Sequence, residues 1–192
     1  MTGNTQKAHM VVNNMTKTEL ENCIWEYGKD IYSFCKSITL NLQEADDLYQ
    51  DTFLKAMELI SQIDYERNPK SYLLSIALRL WKNRKRKYAW RNRIANVFSL
   101  TDELDLDIVK AAAFSPESEL LKKEEAHLVR EAVGKLPEKL KIPVLLFYME
   151  DLPVAQIAFI LKIPVGTVKS RLYQARKLLE KELEVVLDEK YG

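Results

Sequence analysis

The 192-residue sequence has few of the residues that interrupt secondary structure, with only 5 glycines and 6 prolines. This is roughly half the usual share of these two residues. It disfavours sandwiches and barrels, which need many tight turns. Hydrophobic residues make up 47% of the chain and charged residues 30%, so the chain has enough apolar side chains for a core. The composition therefore favours long helices.

The sequence also lacks a long apolar run and a secretion signal. Its longest apolar stretches, 142–149 and 152–161, are much shorter than the roughly 20 residues of a membrane-spanning helix. The first 14 residues contain no basic stretch followed by an apolar segment, which a signal peptide would need. We therefore expect no membrane insertion and a cytoplasmic protein.

Cysteine and histidine are scarce, with two residues of each. Cys23 and Cys35 are too few and too far apart for a zinc site, and we expect both to be reduced and partly buried in a helix. His9 and His127 are isolated, and no glycine-rich phosphate loop follows a strand pattern. The sequence therefore predicts a protein with no metal, no cofactor and no catalytic residue.

The hydrophobic pattern predicts an all-α protein with two helical domains, since no segment alternates as a strand would. Residues 99–119 contain six acids and one base without a sustained period, which is typical of a flexible acidic linker. The predicted boundaries are a disordered lead-in at 1–16, an N-terminal domain at 17–95, a linker at 96–115 and a C-terminal domain at 116–192.

Capping residues suggest where the N-terminal helices begin. Thr18 and Glu21 have the spacing of a capping box at the start of the first helix. A second helix is predicted over roughly 43–61. Asn68 followed by Pro69 predicts the start of a third.

The C-terminal domain ends in a predicted helix-turn-helix. A helix over about 138–149 contains Pro143 and is expected to kink there or to begin later. Two helices at about 153–161 and 167–186 then flank a turn at 162–166.

The last of these helices has one apolar face and one polar, basic face. At about 100° per residue, Ser170, Tyr173 and Lys177 lie opposite the apolar stripe, and Arg176 flanks it. The stripe comprises Val168, Leu172, Ala175 and Leu179. Such a helix suits a DNA major groove, with phosphate contacts at its edges and base contacts at its centre. A solvated basic surface helix is the weaker interpretation.

A second basic segment carries aromatic residues. Eight bases and no acid lie between Arg79 and Arg93, interleaved with Trp81, Tyr88 and Trp90. Bases follow a phosphate backbone and flat rings stack on unpaired bases, so the segment favours single-stranded or melting DNA. Taken individually, Tyr72 and Trp81 are better interpreted as core residues.

The second predicted helix has an acidic face formed by Asp47, Asp51 and Glu58, with Gln50 beside it. Three interpretations apply to this face. A magnesium site in a nuclease is the weakest, because no further catalytic group is placed to complete it. A solvated face and a docking surface for a basic partner are equally consistent with the pattern.

These features in this order resemble bacterial RNA polymerase sigma factors of the small, two-domain extracytoplasmic-function group. DDLYQDTFLKAMELI (46–60) is similar to the helix of that family that binds core polymerase. NPKSYLLSIALRLWKNRKRK (68–87) is similar to the helix that melts and reads the minus-ten element. Residues 136–177, ending in PVGTVKSRLYQARK, are similar to the domain that reads the minus-thirty-five element.

The resemblance implies roles for individual residues. Those implied to bind core polymerase are Asp47, Gln50, Asp51 and Leu54. Those implied at the minus-ten element are Tyr72, Arg79, Trp81, Lys82, Arg84, Lys85, Arg86 and Lys87, with the loop 62–70 taking a flipped base. Those implied at the minus-thirty-five element are Gly166, Thr167, Lys169, Ser170, Arg171, Tyr173, Gln174, Arg176 and Lys177.

The sequence departs from the family pattern at several positions. Tyr72 replaces a common Trp, Arg79 replaces a common Asn, and Asn83 replaces a common Asp. These differences bear on which DNA sequence the protein melts, not on its role in melting. Lys162 replaces a frequent turn glycine, a replacement that costs little if the φ of Lys162 stays negative.

The resemblance implies a non-enzymatic initiation subunit. Its expected partners are core RNA polymerase, promoter DNA and an anti-sigma factor, with the DNA bound as a duplex upstream and as a single non-template strand downstream. The alternatives are a polymerase-independent helix-turn-helix regulator and, more distantly, a magnesium-dependent nuclease.

Overall fold

The computed structural model describes residues 15–63, 68–95 and 120–191. Within these ranges all regular secondary structure is helical, which confirms the predicted all-α class. Residues 1–14 of the predicted lead-in, 64–67 of the loop implied to take a flipped base, the whole predicted linker and 116–119 of the predicted C-terminal domain lie outside the described residues.

Three helices form the N-terminal domain. They are α1 (Lys17–Ile38), α2 (Leu42–Glu58) and α3 (Pro69–Ala95), with a short 3-10 turn at Ile60–Gln62 after α2. The C-terminal domain contains α4 (Leu120–Lys135), α5 (Glu138–Val144), a π-helical segment (Leu145–Met149), α6 (Val154–Leu161) and α7 (Val165–Tyr191).

The first helix begins two residues earlier than its predicted capping box. Thr16, not Thr18, is the cap: its hydroxyl accepts a hydrogen bond from the Glu19 N–H, and the Glu19 carboxylate accepts one from the Thr16 N–H. The sequence contains two overlapping Thr-x-x-Glu patterns. The earlier one forms the cap because Met15 is buried beside it and donates its N–H to the Ile63 carbonyl at 2.9 Å. Met15 and Thr16 therefore belong to the fold and not to a lead-in.

The other two caps of the N-terminal domain are side-chain amides. The Asn41 carbonyl oxygen accepts from the Glu44 N–H at 2.8 Å, and that of Asn68 accepts from the Ser71 N–H at 2.9 Å. The second contact confirms the predicted start of α3. Each amide satisfies a backbone donor that has no partner within its own helix.

Buried apolar residues of α1, α2 and α3 form the core of this domain, including Phe34, Leu48 and Leu73, which are fully enclosed. Cys23 and Cys35 are fully buried, not partly buried as predicted. Burial raises the pKa of the Cys23 thiol to about 11 and that of Cys35 to about 12. Both thiols are therefore protonated at neutral pH and are packing residues.

Pro143 lies in α5, within the segment 138–149 that was predicted as one helix, and the type of helix changes shortly after it. The α-helix ends at Val144 and continues as a π-helical segment, in which the Glu150 N–H donates to the Leu145 carbonyl at 3.2 Å. The expected distortion is therefore present, but as a wider helical turn following the proline. Such turns are rare and place side chains at altered angles.

The turn between α6 and α7 is shorter than predicted. It ends at Pro164, whose carbonyl accepts from the Thr167 N–H at 2.9 Å, so α7 starts at Val165 and not at 167. Gly166 lies within the first turn of α7 and has no positive φ. The predicted start of α7 was two residues too late because Gly166 was interpreted as a turn residue.

The condition under which Lys162 would cost little, a negative φ, is not met. Lys162 ends α6 in the left-handed conformation with φ 55° and ψ 46°, and the following Ile163 N–H donates to the Ala158 carbonyl at 3.1 Å. This is the hydrogen-bonding pattern of a Schellman cap, which favours glycine. A side chain at this position is therefore strained.

Replacing Lys162 with glycine should stabilise the C-terminal domain by up to about 1 kcal/mol, because glycine adopts this conformation without strain. Denaturant unfolding of the full chain measures the effect. Lys181→Gly, in the interior of α7, is the matched control and should destabilise by about 1 kcal/mol. Equal destabilisation by both variants would mean that Lys162 is not strained.

The two domains pack against each other. Buried side chains of the N-terminal domain and those of the π segment, α6 and the start of α7 form one continuous apolar cluster, which includes Trp81, Leu146 and Ile157. A smaller cluster of Leu136, Leu140, Val144 and Ala175 lies between α4, α5 and α7. The α3 helix of one domain therefore contacts α6 of the other.

Candidate nucleic-acid and polymerase interfaces

The residues predicted to bind polymerase lie together on the exposed face of α2. Asp47, Gln50, Asp51 and Leu54 are all exposed, and Leu54 is 59% exposed. They are placed there because Ala45, Leu48, Thr52, Phe53 and Ala56 face the core. Beside Gln50 and Leu54 lies an apolar groove lined by Ile24, Tyr49, Phe53 and Met57.

Arg84 connects this acidic face to the basic helix α3. Its guanidinium donates to an Asp51 carboxylate oxygen at 2.6 Å and to the Asp47 backbone carbonyl at 3.0 Å. The Arg84 side chain therefore contacts α2 in this structure. Among the described residues the carboxylate of Asp47 has no ion-pair partner, whereas Glu58 pairs with Lys55 at 2.6 Å.

The basic part of α3 separates into core and surface residues. Trp81 is buried and Tyr72 is half-buried against the same core, so the interpretation of both as core residues holds. Lys85 lies over the Trp81 ring, 4.8 Å from its centroid, and pairs with Glu138 of α5 at 2.6 Å. The exposed bases predicted at the minus-ten element are Arg79, Lys82, Lys85, Arg86 and Lys87.

Tyr88 and Trp90 extend the exposed surface of this helix. They are 59% and 63% exposed, so their rings are free to stack on an unpaired base. Both rings were apparent in the sequence pattern but were not among the predicted site residues. Their position among the bases was the available signal.

The last helix, α7, presents the predicted recognition face to solvent. Val168 and Ala175 are fully buried, which turns Lys169, Ser170 and Gln174 outwards. Gly166, Tyr173, Arg176 and Lys177 are also exposed, while Thr167 and Arg171 are half-buried. Leu172 and Leu179, predicted in the buried stripe, are only half-buried.

Two contacts position the edge of this face. The Arg176 guanidinium lies 3.4 Å from the Tyr148 hydroxyl of the π segment, and Lys177 pairs with Glu180 at 3.0 Å. Both cations remain exposed. They can therefore reach a phosphate while the π segment holds Arg176 at the flank of the helix.

Two features near these surfaces were not predicted from the sequence. Trp25 of α1 is 89% exposed, next to Ile24 of the apolar groove. Its position off the row of buried residues of α1, which includes Leu20, Ile31 and Phe34, was a usable signal. Lys70 and Glu150, far apart in sequence, form an ion pair at 3.1 Å between the two domains. No pattern in the sequence joins that pair.

Among the described residues, no group of three or more histidine, cysteine or acidic side chains could hold a metal ion. Over the same residues, no helix is both long and apolar enough to cross a membrane.

Family models match both halves of the chain. Residues 24–91 match the model described as Sigma-70 region 2, and residues 126–179 match Sigma-70, region 4. These ranges contain the acidic face and the basic helix in the first case, and the recognition helix in the second.

Curated relatives match most of the chain. It is 33% identical to the ECF RNA polymerase sigma factor SigW of Bacillus subtilis over 161 residues, covering 82% of this chain and 84% of SigW. It is 30% identical to the ECF RNA polymerase sigma-E factor of Haemophilus influenzae, covering 73% of this chain and 75% of that protein.

Two solved structures share the fold. The sigma factor RpoE of Bartonella quintana, solved with the anti-sigma factor NepR, has a TM-score of 0.69 at 20% identity and covers 88% of this chain and 98% of its own. CnrH, solved with the cytosolic domain of CnrY, has a TM-score of 0.62 at 17% identity. The match covers 88% of this chain and 90% of the CnrH chain.

Proposed function

The chain belongs to the extracytoplasmic-function group of RNA polymerase sigma factors, and from this premise we propose how its surfaces direct polymerase to promoters. The N-terminal domain docks on core polymerase and acts on melted DNA. The C-terminal domain reads the upstream promoter element. The exposed polar face of α7, opposite buried Val168 and Ala175, is the observation that carries this proposal.

The polymerase-binding surface is the acidic face of α2. We assign to it Asp47, Gln50, Asp51 and Leu54, which share one exposed face. The Asp47 carboxylate, which has no ion-pair partner in the part of the chain that the structure describes, lies beside exposed apolar side chains. This combination suits a partner that brings a base and apolar residues together. Leu54 and the adjoining groove supply the apolar contact.

The minus-ten surface is the start of α3, the preceding loop and the exposed basic face of that helix. Five exposed bases there follow the backbone of a separated strand, and Tyr88 and Trp90 offer stacking faces. Trp81 and Tyr72 support the helix from the core. The Arg84 guanidinium holds α3 against α2, so we propose that it links polymerase docking to the position of the melting helix.

The minus-thirty-five surface is the outer face of α7. Lys169, Ser170, Tyr173 and Gln174 are exposed near its centre and are assigned to base edges. Gly166 and Thr167 in the first turn are assigned to phosphate, Gly166 through its N–H at the helix N-terminus. Thr167 is assigned through its hydroxyl, because its N–H already donates to the Pro164 carbonyl. Arg171 and Arg176 flank the apolar stripe, and Lys177 lies on the outer face one turn beyond Tyr173. All three are assigned to phosphate as well.

Base-reading and phosphate-binding residues of α7 should behave differently when truncated. Lys169→Ala or Gln174→Ala should weaken binding to the preferred upstream sequence by about 1–3 kcal/mol and relax the choice at one or two base pairs. Arg176→Ala should weaken all sequences alike and lower the salt dependence of binding. Selection of holoenzyme-bound DNA from a randomised upstream element measures both effects. A changed preference with Arg176→Ala alone would mean that the helix lies differently in the groove.

The remaining assignments follow from the family. Sigma factors are not known as enzymes, and we propose that this chain performs no chemistry. We propose that it acts in the cytoplasm, where polymerase and promoter DNA are found. RpoE and CnrH were solved with anti-sigma factor NepR and with the cytosolic domain of CnrY, and we propose that an anti-sigma factor also binds this chain.

A regulator that acts without polymerase would need only the C-terminal domain. The match of residues 24–91 to sigma region 2 and the exposed acidic face of α2 favour the sigma factor instead.

A further inference from the structure

Trp25 of α1 belongs to an apolar surface that nothing in the described chain covers. Its side chain is 89% exposed, more than any other large hydrophobic side chain among the described residues. Ile24, Leu54 and Met57, which line the groove between α1 and α2, are exposed as well. Single exposed apolar residues are common, but a group of them around a groove is typical of an interaction surface.

Aromatic packing between α1 and α2 builds the groove beside Trp25. Tyr49 and Phe53 line it with their rings edge to face, 5.0 Å between centroids, and Tyr32 of α1 packs on Tyr49 in the same way at 5.5 Å. Gly28 makes room for this row, because a Cβ there would lie only 3.0 Å from the Tyr49 hydroxyl oxygen. The groove is therefore present before any partner binds.

Trp25 lies on the side of α1 that faces α2. It directly follows Ile24, and helix residues three apart are surface neighbours, so it also adjoins Gly28. Tyr32 is two turns further along the same side, and its hydroxyl donates to the Asp46 carboxylate of α2 at 2.7 Å. The Trp25 ring is therefore at the edge of the groove, on the helix to which no polymerase-binding residue has been assigned.

The groove is continuous with the acidic face of α2. Gln50 and Leu54 line the groove and also belong to the residues assigned to core polymerase. Asp47, one turn before Gln50, has no ion-pair partner for its carboxylate among the described residues. A partner that brings a base to Asp47 and covers Leu54 therefore also covers the groove beside Trp25.

We propose that Trp25 is an aromatic anchor of the interface with core RNA polymerase, packing against an apolar side chain that polymerase inserts between α1 and α2. The proposal rests on the proposed function of the acidic face and extends that interface from α2 to α1. The acids orient the partner and speed its association. Burial of the indole ring excludes water and slows dissociation, and tryptophan is among the residues most enriched at such binding hot spots.

Trp25→Ala in the full-length chain tests the anchor by titration with purified core polymerase. The affinity should fall about tenfold or more, mostly through faster dissociation. Trp25→Phe keeps an aromatic ring and should lose less. Because the ring is exposed, neither variant should change the denaturation midpoint of the free chain. Phe159→Ala is the matched control: Phe159 is 70% exposed on α6 and has no assigned role, so this variant should bind polymerase as the wild type does.

Hydroxyl-radical oxidation of the wild-type chain, read by mass spectrometry, locates the contact directly. Trp25 should be oxidised readily in the free chain and be protected when core polymerase is added. The Asp47→Lys variant, mixed with core polymerase at the same concentration, should leave Trp25 reactive.

Unchanged affinity of Trp25→Ala, or oxidation of Trp25 in the holoenzyme at the rate of the free chain, would overturn the proposal. Self-association of the free chain that is lost in Trp25→Ala while polymerase binding is kept would assign the ring to a second copy and overturn it too. Failure of the assigned function gives a different result, because the wild-type chain itself would then not bind core polymerase.

Discussion

Reversing the charge of Asp47 should abolish stable binding to core polymerase. Asp47 is exposed on α2, and its carboxylate has no ion-pair partner among the described residues, so it is available to a basic partner. Leaving a partner's base unpaired typically costs 2–5 kcal/mol, and a lysine adds repulsion. We expect Asp47→Lys to weaken binding about a hundredfold or more, measured by co-purification and titration with core enzyme.

Asp47 is preferred to Asp51 because the second carboxylate pairs with Arg84 at 2.6 Å. Asp51→Lys would place two cations together and could displace α3, so its effect would be ambiguous. Glu184→Lys, on exposed α7, changes the net charge equally and should bind normally. Undiminished binding of the Asp47→Lys variant would refute the assignment of the acidic face.

Truncating Leu146 should produce the largest loss of stability. Leu146 lies in the π segment, is fully buried and belongs to the cluster that joins the two domains. Removing its isobutyl group leaves a cavity that this tightly packed site cannot fill, which costs about 2–5 kcal/mol. Because total stability is typically about 5–15 kcal/mol, Leu146→Ala should shift the denaturation midpoint markedly.

Leu178→Ala is the matched control for this substitution. Leu178 is 46% exposed on α7, so the same chemical change there should alter the free energy of unfolding by well under 1 kcal/mol. If the two variants unfolded at the same denaturant concentration, the packing of the π segment against α6 and α1 would be wrong.

Much of the fold was predictable because helical periodicity and caps are local signals. The second helix, predicted over roughly 43–61, and the Asn68–Pro69 start of α3 required only neighbouring residues. The outward face of α7 was also predictable from helical periodicity. Because Val168 and Ala175 are buried on one side of the helix, the residues on the opposite side face solvent.

Features that depend on distant or competing contacts were not predictable. The overlapping Thr-x-x-Glu patterns were decided by the contact of Met15 with Ile63. The left-handed Lys162 has no local signature, because lysine rarely adopts that conformation. Arg84 belongs by sequence to a basic run, but Asp51 of another helix holds its guanidinium.

Run-off transcription with purified core polymerase tests the central claim most directly. The template is a library of genomic fragments, and the transcripts are mapped with and without the chain. The account predicts transcripts from defined start sites only when the chain is present, and none with Asp47→Lys. If the chain bound upstream DNA specifically but core polymerase produced no chain-dependent transcript, the assignment as an initiation subunit would be contradicted.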